Sequence, residues 1–264
     1  MPEAFEGVSA VILDMDGVLY RGEVPVDGAA DAVKEIRRKG LKILFLTNNS
    51  TLSRADYVKK LRKMGIEAEK EEIITSGFVA ALYLKKNFPS ARVFAVGGKG
   101  LFEELREAGV KLLGIEEAGK ATHVVVGLDQ NLTYEKIKAA VRAILNGADF
   151  IATNSDPTYP TEDGLAPGAG AVIGALEGST GARPRLIFGK PALTMVKIAV
   201  RRFGVKRGEV AMVGDRLDTD VAVGKKLGLR TILVLTGVAK REDVRRAKEK
   251  PDFVFESLKE AVFG

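Results

Sequence analysis

Four clusters of polar residues in this 264-residue chain have the types and spacing of reacting groups. The first, Asp14-Met15-Asp16-Gly17, directly follows an apolar run over 8–13. Two carboxylates this close repel, and holding them together is costly unless a proton or a cation is shared. A hard cation with oxygen ligands, Mg²⁺ before others, relieves that repulsion. The second, Thr47-Asn48-Asn49-Ser50, offers neutral donors suited to phosphate oxygens. The third, Gly189-Lys190-Pro191, carries one ammonium, and Pro191 suits the first residue of a helix. The fourth, Gly214-Asp215-Arg216-Leu217-Asp218-Thr219-Asp220, is acidic again, with Asp215 and Asp220 as candidates for a metal's remaining protein ligands. Each cluster alone also has a plainer reading. Aspartates in turns bond their own backbone, Thr and Ser cap helices, a single lysine is usually a surface residue, and aspartates favour helix starts.

Composition narrows the chemistry further. The chain has no cysteine and a single histidine, His123. Thiol nucleophiles, disulfides, iron–sulfur clusters and thiolate or three-histidine zinc sites are therefore excluded. A Ser-His-Asp arrangement would have to use His123, which lies one residue before an apolar run over 124–126 and reads as structural. Carboxylates, lysines and hydroxyls remain. The formal charge of +6 raises the question of nucleic acid. The basic groups, such as Arg37-Arg38-Lys39, Lys59-Lys60, Arg201-Arg202 and Arg245-Arg246, sit in segments of helical period with acids interspersed. They read as solvated helix faces, so no nucleic-acid partner is expected. No apolar run approaches the ~18 residues of a membrane helix, and the opening MPEAFE lacks a signal pattern. A cytoplasmic protein with no membrane partner is the expectation.

The elements that must position these groups follow from periodicity. Strands are predicted over 8–13, 41–46, 93–96, 124–126, 150–152, 185–188, 210–213 and 231–235. Amphipathic stretches lie between them, over 29–39, 54–64, 134–145, 192–203, 221–227 and 240–248. Gly40, Gly65, Gly204 and Gly228 follow helical stretches, where helices end. This alternation predicts an α/β fold with a doubly wound parallel sheet, in which ligands bind beyond the carboxyl ends of strands. All four clusters occupy that place. Residues 78–181 contain at least three strand–helix pairs of their own and read as an inserted α/β unit, with 1–77 and 182–264 forming the main one. Two glycine-rich runs resemble nucleotide loops only loosely. Gly168–Gly174 has the wrong spacing for a dinucleotide fingerprint and suits close packing at a helix start, and Val96–Gly100 lacks the full Walker pattern.

The order of a DxD loop, then Thr, then Lys, then Gly-Asp with a further Asp resembles the haloacid dehalogenase superfamily. The spellings DMDGVLYRG, LTNNS, FGKP and GDRLDTD are similar to its 4-nitrophenylphosphatase or NagD-like branch, as are VVVGLD and ATNSDPTYPTEDGLAPGAGAVIGALE to that branch's cap. The resemblance implies a core with an inserted α/β cap and a Mg²⁺-dependent phosphatase of small phosphate monoesters, with 4-nitrophenyl phosphate as generic substrate. It makes Asp14 the nucleophile that becomes an aspartyl-phosphate, and Asp16 the general acid and base. Mg²⁺ would be held by the carboxylates of Asp14 and Asp215 and the backbone carbonyl of Asp16, with Asp220 orienting a metal-bound water. Thr47, Asn48 through its backbone, and Asn49 would hold the phosphoryl group, and Lys190 would neutralise charge. Gln130 and Asn131 would form a specificity loop. Relatives that act on pyridoxal phosphate carry histidine at the position matching Asn131, which points away from that substrate. The resemblance also implies a homodimer through the cap. A phosphotransferase using the same intermediate is the alternative enzyme. A receiver-type phosphoacceptor, about half this length and without Asp16, and a basic nucleic-acid-binding protein are the non-enzymatic readings.

Overall fold

The computed structural model describes residues 2–161 and 164–264. Met1, Glu162 and Asp163 lie outside the described residues, the last two within the cap-like run 152–177. The chain runs β1 (Ala10–Asp14), β2 (Tyr20–Arg21), β3 (Val24–Pro25), α1 (Ala29–Arg38), β4 (Lys42–Thr47), α2 (Arg54–Lys63), β5 (Ile73–Thr75) and α3 (Ser76–Asn87). It continues through β6 (Arg92–Val96), α4 (Lys99–Glu107), β7 (Lys111–Leu112), β8 (His123–Val126), α5 (Tyr134–Leu145), β9 (Asp149–Ala152), β10 (Thr158–Thr161), β11 (Gly164–Pro167) and α6 (Ala169–Thr180). It ends with β12 (Leu186–Ile187), α7 (Leu193–Phe203), β13 (Val210–Gly214), α8 (Ala222–Leu227), β14 (Arg230–Val234), α9 (Arg241–Arg246), β15 (Phe253–Phe255) and α10 (Leu258–Phe263). Among the described residues, no helix is long and apolar enough to cross a membrane.

A six-stranded parallel sheet has the order β15-β14-β13-β1-β4-β5. Its central strand β1 is buried along its whole length, which is why Ala10–Leu13 is an unbroken apolar run rather than an alternating one. Val11 and Leu13 face one apolar layer with α1, α2 and α10, while Ala10 and Ile12 face another with α3 and α7. Helix α1 shows how local sequence meets this sheet. Ala29, Ala32, Val33 and Ile36 recur at helical spacing and are its buried face. The chain winds outward from β1 through β4 to β5 and returns beside β1 as β13. The switch point therefore lies at β1, with β4 and β13 on either side.

A second parallel sheet has the order β12-β9-β8-β6-β7. One of its strands comes from beyond residue 182. The strand before Lys190 exists, but Leu186 and Ile187 pair with Ile151 and Ala152, so it belongs to the second sheet. The chain returns to the first unit after Ile187. The apolar run alone carried no information about which sheet it joins. Helices predicted over 221–227 and 240–248 are shorter, Ala222–Leu227 and Arg241–Arg246. His123 begins β8 and packs its ring 4.6 Å from that of Phe88.

One apolar core joins the two sheets. Ile12, Leu46 and Met212 from the first share it with Val93, Val125 and Ile151 from the second, with α3, α4 and α7 between. The glycines of 96–100 belong to this junction rather than to a nucleotide loop. The N–H of Gly100 donates to Thr51 O at 2.8 Å, and a Cβ on Gly100 would overlap the backbone of Leu52 and Ser53. Beside it, the buried pair Arg54–Glu104 (Nε···Oε2, 3.0 Å) ties α2 to α4. Gly100→Ala is therefore expected to destabilise the fold by about 2–3 kcal/mol, as overpacking does. A denaturant midpoint matching the parent protein would show that the junction relaxes.

Candidate active site

The switch point collects the predicted groups. β1 ends in Asp14, β4 ends in Thr47, and β13 ends in Gly214 with Asp215 next. From the second sheet, β12 leads through Phe188 and Gly189 to Lys190. A wide turn over Leu217–Val221 then brings Asp220 back beside Asp215. Carboxylate oxygens of Asp14, Asp215 and Asp220 lie within 4.8 Å of one another, and all three residues are buried. Lys190, also buried, donates from Nζ to Asp14 Oδ1 at 2.5 Å and to Asp220 Oδ1 at 2.7 Å. The backbone N–H of Arg216 donates to Asp220 Oδ2 (3.2 Å), and that of Val238 donates to Asp215 Oδ2 (2.7 Å).

Three carboxylates facing one ammonium leave an excess of buried negative charge. Burial, and then the neighbouring Asp220 and Asp215, push the Asp14 carboxyl well above its usual range against the pull of Lys190. Burial, and then Asp220, push Asp215 up to about 7. Burial alone would lower Lys190, but Asp14 and Asp220 outweigh it and hold the ammonium charged. A cation among the carboxylates relieves both the burial cost and the repulsion, and all-oxygen donors fit a hard divalent ion. The residues therefore fit a metal.

Asp16, two residues after Asp14, is partly buried, and burial raises its carboxyl above the ordinary value, with Lys60, Lys190, Thr47 and Tyr20 pulling it back. Thr47 Oγ1 accepts the N–H of Asn49 at 3.0 Å, which leaves its hydroxyl proton for another acceptor. The asparagines divide. Asn49 gives its side-chain oxygen to the N–H and hydroxyl of Thr51 (2.9 and 2.7 Å). Asn48 places its side-chain amide on the backbone of Lys190.

A cavity of about 90 Å³ over these groups is closed from the second sheet's side by Leu128, Asn154, Asp156 and Tyr159. Sequence reasoning missed Asn154, Asp156, Tyr159 and Arg216. The signal was present for two of them, because Asn154 and Asp156 follow the predicted strand 150–152 just as the other clusters follow theirs. Gln130 and Asn131 are exposed and do not line this cavity. Gln130 reaches it only through Tyr159, whose hydroxyl accepts from Gln130 Nε2 at 2.9 Å. Asp129 beside them is buried, accepting the N–H of Asn131 (2.9 Å) and pairing with Lys136 (2.7 Å). Gly168 starts α6 where a Cβ would overlap the carbonyl of Asp156, which agrees with close packing.

Comparison with known proteins bears on this geometry. A family model described as haloacid dehalogenase-like hydrolase matches residues 11–111, and one described as HAD-hydrolase-like matches residues 187–261. An acid sugar phosphatase of Staphylococcus aureus is 41% identical over 253 residues, 96% of each chain. The 4-nitrophenylphosphatase of Thermotoga maritima superposes with a TM-score of 0.92 at 39% identity, covering 99% of this chain and 98% of that one. The glycerol phosphate phosphatase of Mycobacterium tuberculosis, solved in complex with magnesium, gives 0.90 at 33% identity, covering 100% of this chain and 79% of that one.

The carboxylate cluster is held open by glycines. A Cβ on Gly237 would overlap the carboxylate of Asp215. Gly237→Ala is thus expected to displace Asp215 and weaken divalent-ion binding about tenfold, a typical cost of disturbing a ligand's support. Calorimetric titration with Mg²⁺ measures this, and an unchanged affinity would remove Asp215 from the ion's site.

Proposed function

The chain belongs to the haloacid dehalogenase-like hydrolases, in their 4-nitrophenylphosphatase-like branch of phosphatases, and from that premise we propose that it hydrolyses small phosphate monoesters with Mg²⁺ through a phosphorylated Asp14. The observation that carries this reading is Lys190 Nζ bonded at once to Asp14 and Asp220, beside Asp215, at the switch point of the sheet. Phosphoryl transfer needs alignment and charge stabilisation more than elaborate covalent chemistry, and this cluster offers both. The first sheet with its helices is the catalytic unit, and the second sheet with its helices is a cap that closes the cavity.

Asp14 attacks phosphorus, and the ester P–O bond breaks. Asp16 gives its proton to the leaving alkoxide. Asp16 then takes a proton from water, whose oxygen attacks phosphorus. The P–O bond to Asp14 breaks, releasing inorganic phosphate and restoring the carboxylate. Burial raises the pKa of Asp16, which suits a group that must start protonated and end as a base. Lys190 offsets the charge between Asp14 and the incoming phosphate, and Asp220 fixes the direction of its ammonium. The hydroxyl of Thr47 and the backbone of Asn48 hold the phosphoryl oxygens. When bound, Mg²⁺ neutralises charge between nucleophile and phosphate, held by the carboxylates of Asp14 and Asp215 and the backbone carbonyl of Asp16. The names of the relatives support a sugar or polyol phosphate as substrate. Pairing of two copies through the cap rests on the resemblance alone.

Asp14→Asn is expected to lower hydrolysis of 4-nitrophenyl phosphate by about 10³-fold or more, as loss of a nucleophile does. EDTA should abolish the parent activity, and added Mg²⁺ should restore it. Acid-quenched parent enzyme should carry one phosphoryl group, located on the Asp14 peptide by mass spectrometry. An Asp14→Asn protein that still releases phosphate would overturn the mechanism.

A further inference from the structure

Lys190 stands at the end of a segment that neither sheet holds alone. Behind it, the N–H groups of Phe188 and Gly189 donate to Ala152 O (3.2 Å) and Thr153 O (2.7 Å), which fastens the approach to the second sheet. At Lys190 itself the partner changes. Its backbone N–H donates to Asn48 Oδ1 at 2.7 Å, and its carbonyl accepts from Asn48 Nδ2 at 2.9 Å. One side-chain amide from the end of β4 therefore clips both sides of the lysine's backbone. Gly189 is what allows the approach, since a Cβ there would lie 2.7 Å from Asn154 Cβ and 2.7 Å from Asn48 Oδ1.

The clip has its own support. The second hydrogen of Asn48 Nδ2 goes to Asp156 Oδ2 at 3.0 Å, and the same oxygen accepts from Asn154 Nδ2 at 2.7 Å. Thr153 Oγ1 in turn donates to Asn154 Oδ1 at 2.9 Å and meets Ser50 Oγ at 3.2 Å. A hydrogen bond to a carboxylate is stronger than one between neutral groups. Asp156 thus fixes both the place of Asn48 and the sense of its amide, with oxygen towards the lysine's N–H. Asn154 and Asp156 lie just beyond β9, on the loop of the second sheet that closes the cavity.

We propose that Asp156 is a positioning residue for the phosphatase reaction: through Asn48 it holds the backbone of Lys190, so that the ammonium meets Asp14 and Asp220 only when the loop after β9 is seated on the end of β4. This rests on the role given above to Lys190. Asp156 also lines the cavity, which makes direct contact with a substrate hydroxyl the competing role. The two roles separate in kinetics. Positioning a charge-stabilising group acts on kcat, whereas holding the leaving group acts on KM.

The test is a cycle of Asp156→Ala, Asp156→Asn, Lys190→Ala and the Asp156→Ala/Lys190→Ala double variant, assayed with 4-nitrophenyl phosphate at saturating Mg²⁺. Misplacement of a reacting group by about 1 Å costs up to ~10²-fold. Asp156→Ala is therefore expected to lower kcat about 10- to 50-fold with KM within about twofold. Asp156→Asn should regain most of that loss, because its amide oxygen still accepts from Asn48. In the Lys190→Ala background, Asp156→Ala should add less than about twofold, since residues acting through one group are not additive. A loss seen in KM, an Asn variant as impaired as the Ala variant, or a full additional loss in the double variant would each overturn the positioning role. Full activity in Lys190→Ala would instead overturn the role of the lysine, and this inference with it. Near-UV circular dichroism checks each fold. Should Asp156→Ala be unfolded, Asp156→Ser, too short to reach Asn48, takes its place with the same expected outcome.

Discussion

Three buried carboxylates around one buried ammonium form the constraint on which the rest of this structure depends. Such a cluster does not form for its own sake, because burial and mutual repulsion both oppose the charged forms of Asp14 and Asp215. It exists because the first sheet is rigid and buried enough to hold the groups where they repel. β1 and β13 are apolar along their length and pair in parallel register, so the residues that end them emerge side by side. The carboxylates are thus placed by apolar packing several residues away. The cation they favour is the counterpart of that imposed repulsion.

This arrangement also suits a chain with a single histidine and no cysteine. A buried carboxylate beside a cation can serve as nucleophile without being deprotonated by a base. A second carboxylate whose pKa burial has raised can carry a proton in both directions. In the proposed mechanism, environment divides the two roles between Asp14 and Asp16, which have the same side chain and stand two residues apart. The one histidine is spent on packing, its ring against Phe88 at the start of β8.

The parts of the fold and site that were legible in the sequence are those with short-range causes. The doubly wound sheet announced itself through apolar runs with helical segments between them, and Asp14, Thr47, Lys190 and Asp215 announced themselves by following such runs. Spacing carried no information about long-range pairing. Leu186–Ile187 has the composition of a strand in either sheet, and its partner Ile151–Ala152 is decided by the tertiary packing of the second unit. Side-chain direction was equally hidden. Nothing in Thr47-Asn48-Asn49 distinguishes an asparagine that faces a phosphate from one that faces Lys190, because that depends on a residue 142 positions away. Asn154 and Asp156 obeyed the same strand-end rule as the other clusters, yet they were absorbed into a stretch read only for its likeness to a cap. Gln130 and Asn131 were chosen by likeness as well, and they lie outside the cavity wall.

The membership of β12 in the second sheet changes what the two units can be to each other. A cap joined to its partner by loops alone can swing without disturbing the groups beneath it. Here the chain leaves β12 and reaches Lys190 within three residues, too short a span to absorb much movement. The first sheet holds the lysine's head through Asp14 and Asp220, while the second sheet's edge strand leads into its backbone. The apolar core shared through α3, α4 and α7 resists separation of the two sheets, and Gly100 and the Arg54–Glu104 pair bind the junction close to the loop that ends β4. Asn48 stands where these restraints meet, one residue beyond Thr47. Any displacement of the second sheet that pulls on residues 188–190 must either break the two bonds from Asn48 or move the ammonium off Asp14. The seating of the cavity's wall and the completeness of its charge cluster are therefore one structural condition.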